Sequence, residues 1–434
     1  MSHGSGARRT LSVEGLARVE GEGSLRVEVR DGVVEEVALS IFEPPRFFEA
    51  LLSGRAAAEA PDITARVCGI CPVAYQMSSC AAVEDAVGVR VDDRVTELRR
   101  LLYCGEWIES HALHVYLLHA PDFLGCADAV ELAERDPGSV RRGLALKQAG
   151  NRVMETVGGR AVHPVNVRVG GFYRAPSRAA IAALAGPLER ARDDALATVG
   201  WVAGFDFPDV EGVYRFVALR GDGRYPMESG RVASSEGIDV TAGEFLDRVV
   251  EEQVARSTAL QARLDGALEY LTGPLARYAL NADLLPETAR RAAADAGLGP
   301  ACANPFRSIV VRAVELVAAC DEALRLVHGY EPPDPPAAPV RWRAGVGTGA
   351  TEAPRGILFH RYELDDDGLI GAARIVPPTS QNQLTIESDL RRVVQAGLEL
   401  PDDELTWRCE QSVRNHDPCI SCAAHFLDVS VVRR

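Results

Sequence analysis

The stretch Asp417–His425, DPCISCAAH, sets Cys419 and Cys422 in a Cys-x-x-Cys pair near the end of the sequence, with a histidine close behind. A second pair, Cys68 and Cys71, stands in RVCGIC, Arg66–Cys71. A Cys-x-x-Cys turn places two thiolates on one side of a tight loop, so both can reach one metal. Two such turns supply four soft ligands, suited to zinc, an iron–sulfur cluster or nickel. Two separate redox dithiols would each want a thioredoxin-like βαβ setting, which neither pair has. Zinc-ribbon knuckles sit within roughly 15–20 residues of each other, whereas these pairs stand at opposite ends of the chain. Two unreactive buried pairs are the bland alternative. The reading that remains is a catalytic metal site joining the two ends of the chain.

The sequence of 434 residues can bury a core as one large domain or as two to three ordinary ones. With 47% hydrophobic and 25% charged residues it is globular in composition. The net charge of -15, from 62 acidic and 47 basic residues, argues against nucleic acid as a partner, and no cluster of Lys and Arg offsets it. No apolar run of about 18 residues exists, so no membrane span is expected. The opening MSHGSGARRTLSVEG lacks the apolar segment of a signal peptide. The expected compartment is the cytoplasm, where disulfides are rare. Single cysteines such as Cys126 and Cys320 are then expected to be small buried apolar residues.

Alternating apolar and polar residues over 10–40, around Asp31-Gly32, predict a hairpin. From about 77 to 120 the spacing predicts helix, and helical spacing recurs at 127–157, 176–200, 243–270, 286–296, 304–329 and 384–398. Turn-rich residues fill 206–230, and the Pro-rich YEPPDPPAAPV, 330–340, reads as a linker or surface loop. A second hairpin is expected over 355–378, turning at Asp367-Gly368. GVGTGA, 345–350, lacks a dinucleotide-binding context and reads as structural. The expected fold class is α+β and predominantly helical, with small sheets at the two ends.

Taken in order, LARVEGEGSLRVEV, RFFEALLSGR, RVCGIC, TEAPRG, IVPPTSQNQ and DPCISCAAH resemble the motifs of nickel–iron hydrogenase large subunits along essentially the whole chain. The resemblance implies that family's fold, a central helical bundle with small peripheral sheets. It implies one domain over 1–425, made of an N-terminal sheet at 10–45, a mainly helical core at 77–330 and a C-terminal active-site segment at 341–425.

The resemblance further implies that Cys68 and Cys419 are terminal nickel ligands and that Cys71 and Cys422 bridge nickel and an iron carrying carbon monoxide and two cyanides. Dihydrogen is split heterolytically there, the proton passing to a thiolate or a nearby base. Arg355 of APRG, flanked by Pro354 and Gly356, matches an arginine over the open side of the centre. Glu20 of RVEGE matches a glutamate that takes protons from the nickel cysteines, with Glu22 as its rival. Glu49, the Arg374 carbonyl and His425 match the ligands of a magnesium or iron ion that pins the C-terminus. An endopeptidase is expected to cut between His425 and Phe426 and release 426–434 once maturation proteins have loaded the metals.

Three departures bear on the branch. Where many relatives carry a histidine after the first pair stands Tyr75, followed by Gln76. Where a hydroxyl residue bonds a cyanide stands Pro378, so Thr379 is expected to take that part. Ser110 replaces an aspartate of the membrane-linked members. Together they resemble the soluble cytoplasmic branch that couples dihydrogen to NAD(P). The implied partners are a small subunit carrying iron–sulfur clusters, and diaphorase subunits holding flavin and binding NAD(P). His111, His114 and His119 share a helical face and read as core or surface residues, His111 alone lying near the site. The rival functions are a dihydrogen sensor and a non-catalytic subunit resembling those of complex I.

Overall fold

The computed structural model describes residues 8–43 and 47–424. Strands β1 (Arg8–Val13), β2 (Gly23–Arg30) and β3 (Val33–Ile41) form an antiparallel sheet in that order. Asp31 and Gly32 join β2 to β3 with φ of 51° and 75°, the left-handed pair that matches the twist of a tight hairpin. Alternate residues of β2, Leu25, Val27 and Val29, are buried. They share one core with Ile386, Leu390, Val394, Leu405 and Val413, so the first and last elements of the chain fold onto each other.

The short helix α1 (Phe48–Leu52) leads to α2 (Pro72–Val87), α3 (Asp93–Leu113), α4 (Pro137–Gly158) and α5 (Ala185–Ala203). After the middle sheets come α6 (Pro274–Asn281) and α7 (Ser308–His328). Helix α3 packs on α4 and α7, and α7 on α5. Gly105 and Gly150 let α3 and α4 touch backbone to backbone: a Cβ on Gly150 would stand 2.5 Å from the Gly105 carbonyl. Helices α3 and α7 are buried on nearly every side, as the centre of a bundle must be. No helix among the described residues is long and apolar enough to cross a membrane.

Two expectations for the middle of the chain are corrected. Sheets are not confined to the ends: β4 (Val217–Arg220), β5 (Arg231–Ser234) and β6 (Asp239–Val240) form a small antiparallel sheet. The helix expected over 243–270 is only one short turn, Ala242–Leu246, followed by a ribbon of β7 (Val249–Gln253) and β8 (Leu260–Leu264). The β-branched pair Val249-Val250 favours strand, and Arg256-Ser257-Thr258 interrupts any continuous helix.

Strands β9 (Gly345–Ala353), β10 (Gly356–Leu364) and β11 (Ile370–Val376) form the last sheet, the expected hairpin with one strand more. The glycines of GVGTGA explain how it sits. Each second residue of a strand advances about 6.6 Å and each fourth residue of a helix about 6 Å, so alternate strand positions meet successive turns of α2. A Cβ would stand 2.3 Å from the Ala86 carbonyl at Gly345, 2.1 Å from that of Ala82 at Gly347, and 2.2 Å from that of Ser78 at Gly349. The next step brings the Thr351 hydroxyl to the Ala74 carbonyl at 3.3 Å. The strand thus runs down α2 toward Cys71 and delivers Arg355 there. Helix α8 (Pro378–Ala396) starts before the expected 384, because Pro378 is tolerated in a first turn, so Thr379 lies on a helix and not in a loop. Helix α9 (Asp402–Asn415) leads into the final pair. The Pro-rich 330–340 is a surface connection tied down by Phe172 donating to the Pro336 carbonyl and Ala338 to that of Gly170.

Candidate metal centre

Cys68 and Cys71 sit at the N-terminal end of α2, and the amides of Ile70 and Cys71 donate to Cys68 Sγ at 3.3 and 3.2 Å. That helix end is capped from outside: Glu106 on α3 accepts from the amides of Val73 at 2.6 Å and Ala74 at 3.1 Å. On the other side Asp417 takes φ of 51° and turns the chain out of α9 into Cys419 and the short helical turn Ile420–Ala423. Cys419 Sγ lies 3.4 Å from Cys68 Sγ and 2.7 Å from Cys422 Sγ. All four sulfurs lie within 4.8 Å of one another, are buried, and belong to free cysteines. Metal–sulfur bonds of about 2.3 Å give a tetrahedron with edges of about 3.8 Å, so the set fits a thiophilic metal. Burial opposes ionisation of Cys68, but the thiols of Cys419, Cys422 and Cys71 and the charge of Arg355 pull it well below the usual thiol range. Burial first of all holds Cys419 and Cys422 above that range.

Arg355 is buried beside the sulfurs. Its Nε donates to the Asp417 carbonyl at 2.9 Å and its Nη2 to Asp417 Oδ1 at 3.1 Å, while Nη1 lies 3.5 Å from Ser110 Oγ. Burial works against the guanidinium charge, but Asp417 and then the cysteines Cys419, Cys71 and Cys68 override it and hold its pKa well above the usual value. Pro354 is buried next to it. Thr379 Oγ1 accepts from the Cys419 amide at 2.9 Å. Glu20 lies against Cys419, whose sulfur donates to Oε2 at 3.2 Å, and Oε2 also accepts from the Ser421 amide at 3.0 Å. Its rival Glu22 is exposed. Tyr75 is buried on the first turn of α2, and its hydroxyl has no hydrogen-bond partner among the described residues.

Glu49 Oε1 accepts from the Ile375 amide at 2.6 Å, the N–H of the peptide whose carbonyl belongs to Arg374. His425 and the tail 426–434 lie outside the described residues. His111, His114 and His119 are all core. His111 Nε2 lies 3.0 Å from Glu315 Oε2. Residues His114–His119 form a π-helical segment that turns His114 Nε2 to the Arg414 carbonyl at 2.8 Å and His119 Nε2 to Asn415 Oδ1 at 2.9 Å.

Sequence reasoning passed over Asp417, Glu106, Arg277, Glu315 and Glu352. Asp417 stood inside the quoted motif. Glu106 belonged to the same helical stripe as Tyr103 and Ser110, polar residues at helical spacing in an apolar stretch, which was the available signal.

A family model described as nickel-dependent hydrogenase matches residues 46–141. The chain is 32% identical over 425 residues to the alpha subunit of sulfhydrogenase 1 of Pyrococcus furiosus, covering 96% of this chain and 98% of that protein. It is 31% identical over 424 residues to the alpha subunit of sulfhydrogenase 2 of the same organism, covering 96% of this chain and 99% of that protein. Among solved structures, an NAD+-reducing nickel–iron hydrogenase in the H2-reduced state is similar with a TM-score of 0.85 and 26% identity, covering 97% of this chain and 100% of that one. The Ni-Fe-Se hydrogenase of D. vulgaris Hildenborough shares the fold at a TM-score of 0.79 and 22% identity, covering 96% of this chain and 100% of that one. With its four cysteines drawn together as a nickel–iron centre requires, the chain belongs to the nickel-dependent hydrogenases, as a nickel–iron large subunit.

Proposed function

We propose that this chain is the catalytic subunit of a hydrogenase that splits dihydrogen reversibly and passes the electrons through an iron–sulfur small subunit to NAD(P) on flavin-bearing diaphorase subunits, in the cytoplasm. The observation that carries the reading is the meeting of four buried thiols with a buried guanidinium and a half-buried carboxylate. Cys68 and Cys419 would hold nickel, and Cys71 and Cys422 would bridge it to an iron bearing carbon monoxide and two cyanides. When bound, that centre supplies heterolytic cleavage of dihydrogen.

The chain's own residues do the rest. Burial of the four cysteines keeps water from the reacting face. Arg355, fixed by Asp417, is a permanent positive donor beside the sulfurs. Thr379 Oγ1 accepts from the Cys419 amide through a lone pair, which leaves its own O–H as the donor that would meet a cyanide of the bound centre. Glu20 receives the proton from Cys419 Sγ at Oε2 and, being half-buried, releases it outward. Glu49 and the Arg374 carbonyl, with His425, would hold magnesium or iron near the C-terminus, and maturation would remove 426–434.

The nicotinamide acceptor is supported by the likeness to the NAD+-reducing enzyme. Sulfur as acceptor is the second reading, favoured by the sulfhydrogenase relatives. The test is dihydrogen oxidation by the purified complex, offered NAD+, NADP+ or polysulfide in turn. Nicotinamide reduction at catalytic rates supports the first reading, and polysulfide reduction alone supports the second. Slow turnover with metals bound marks a sensor. Lack of nickel and of turnover marks a non-catalytic subunit like those of complex I.

A further inference from the structure

Arg277, at the fourth position of α6, is fully buried and uses all five of its N–H donors. Nε and Nη2 form a fork to Glu315 Oε1 and Oε2, both at 2.8 Å. Nη1 donates to Glu352 Oε2 at 3.0 Å and to the Ala353 carbonyl at 2.8 Å, and Nη2 also donates to the Pro354 carbonyl at 2.9 Å. The last two are the peptide carbonyls directly before Arg355. The guanidinium lies 4.5 Å from the ring centre of Trp107 on α3. The residue before α6 closes the other side. A Cβ on Gly273 would stand 2.7 Å from the Arg355 carbonyl, and one on Gly356 would stand 2.1 Å from Thr272 Oγ1.

Apolar side chains of similar volume would pack this turn at lower cost than three buried ionisable groups. What the ionic arrangement adds is direction. It fixes two successive carbonyls, and with them the point from which the Arg355 side chain departs toward Asp417 and the sulfurs. We infer that Arg277, oriented by Glu315 and Glu352, is a positioning residue that sets where the Arg355 guanidinium stands over the metal centre. The inference rests on the part given to Arg355 in the proposed function. Arg277 itself touches none of the four cysteines through any hydrogen bond among the described residues.

The test is a double-mutant cycle on the assembled, metal-loaded enzyme: parent, Arg277→Lys, Arg355→Lys and both together. Lysine keeps the charge that Glu315 and Glu352 require but cannot hold five acceptors in one plane. The expected loss of turnover in Arg277→Lys is on the order of a hundredfold, as for an ångström-scale misplacement, with nickel content unchanged. The infrared bands of the iron's diatomic ligands should move in the same sense in both single variants. In the Arg355→Lys background Arg277→Lys should cost nothing further. Losses that multiply, parent-like turnover and bands in Arg277→Lys, or loss of nickel from it would overturn the inference. Parent-like turnover in Arg355→Lys sinks the reading of Arg355 instead, and Arg277→Lys is then judged on the bands alone. Should Arg277→Lys fail to accumulate, Glu352→Gln removes the carboxylate that accepts from Arg277 Nη1 without touching Arg355, and the same cycle is read with it.

Discussion

Glu20 Oε2 accepts a hydrogen bond from Cys419 Sγ at 3.2 Å and a second from the Ser421 amide at 3.0 Å. Glu20 and Cys419 come from opposite ends of the chain, yet they form a parallel bridge through the backbone as well. The contact exists because the N-terminal sheet and helices α8 and α9 share a core. One carboxylate oxygen therefore holds the Cys419 turn in place and stands ready to receive its proton.

Replacing Glu20 separates those duties. Glutamine still accepts from the Ser421 amide but cannot carry a proton. Glu20→Gln should keep its nickel while turnover falls by roughly 10²–10⁴-fold, the range for loss of a general acid–base group. Parent-like turnover with full metal would give the proton route to another group.

Glu106 gives a prediction about assembly. Glu106→Ala leaves the Val73 and Ala74 amides buried without an acceptor, a cost of about 1–3 kcal/mol. Because that first turn of α2 carries Cys71, nickel occupancy should fall together with the denaturant midpoint. Glu106→Gln keeps an acceptor and should lie closer to the parent. An alanine variant as stable and as well loaded as the parent would contradict the capping role.

Two glycines should respond in opposite ways. Gly347→Ala drives a methyl to within 2.1 Å of the Ala82 carbonyl and lifts β9 off α2, destabilising the fold by about 1–3 kcal/mol or more. Gly200, exposed on α5, has nothing within 4 Å of a new Cβ. Gly200→Ala should stabilise by roughly 0.5–1 kcal/mol through helix propensity. Chemical denaturation of both variants checks the pair, and equal shifts would sink the account of how the strand seats.

Glu352 makes stability depend on pH. Burial, only partly offset by Arg277, lifts its carboxyl from an ordinary 4.5 to about 7. Below the lower value the folded and unfolded chains both keep the proton, and this group imposes no penalty. Between the two values the unfolded chain releases the proton and the folded one retains it, so stability falls as pH rises, and then levels off. The total is at most about 3 kcal/mol. Glu352→Gln should flatten that stretch of the stability curve, measured by denaturant midpoints from about pH 5 to about pH 8. Parallel curves for variant and parent would refute it.

Much of the centre was legible in the sequence because its residues lie in compact motifs. Cys68, Cys71, Cys419, Cys422, Glu20, Arg355 and Thr379, drawn from five of those motifs, lie together in the structure. The hairpins announced themselves through Asp31-Gly32 and Asp367-Gly368, where Asp31, Gly32 and Gly368 take the positive φ that few other residues share. The ribbon at 249–264 did not, because short apolar stretches suit both helix and strand until tertiary packing decides. The Arg277–Glu315–Glu352 cluster was hidden for a different reason. Its members stand on three separate elements, and a buried arginine looks like any other arginine until its five partners are in view.

The most direct test of the central claim is metal analysis of the active, purified protein together with its infrared spectrum. Near-stoichiometric nickel and iron are expected, with bands from carbon monoxide and cyanide and with loss of both metals in Cys68→Ser and Cys422→Ser. A preparation that oxidises dihydrogen at full rate without nickel, or that keeps its metals when those cysteines are replaced, would contradict the claim.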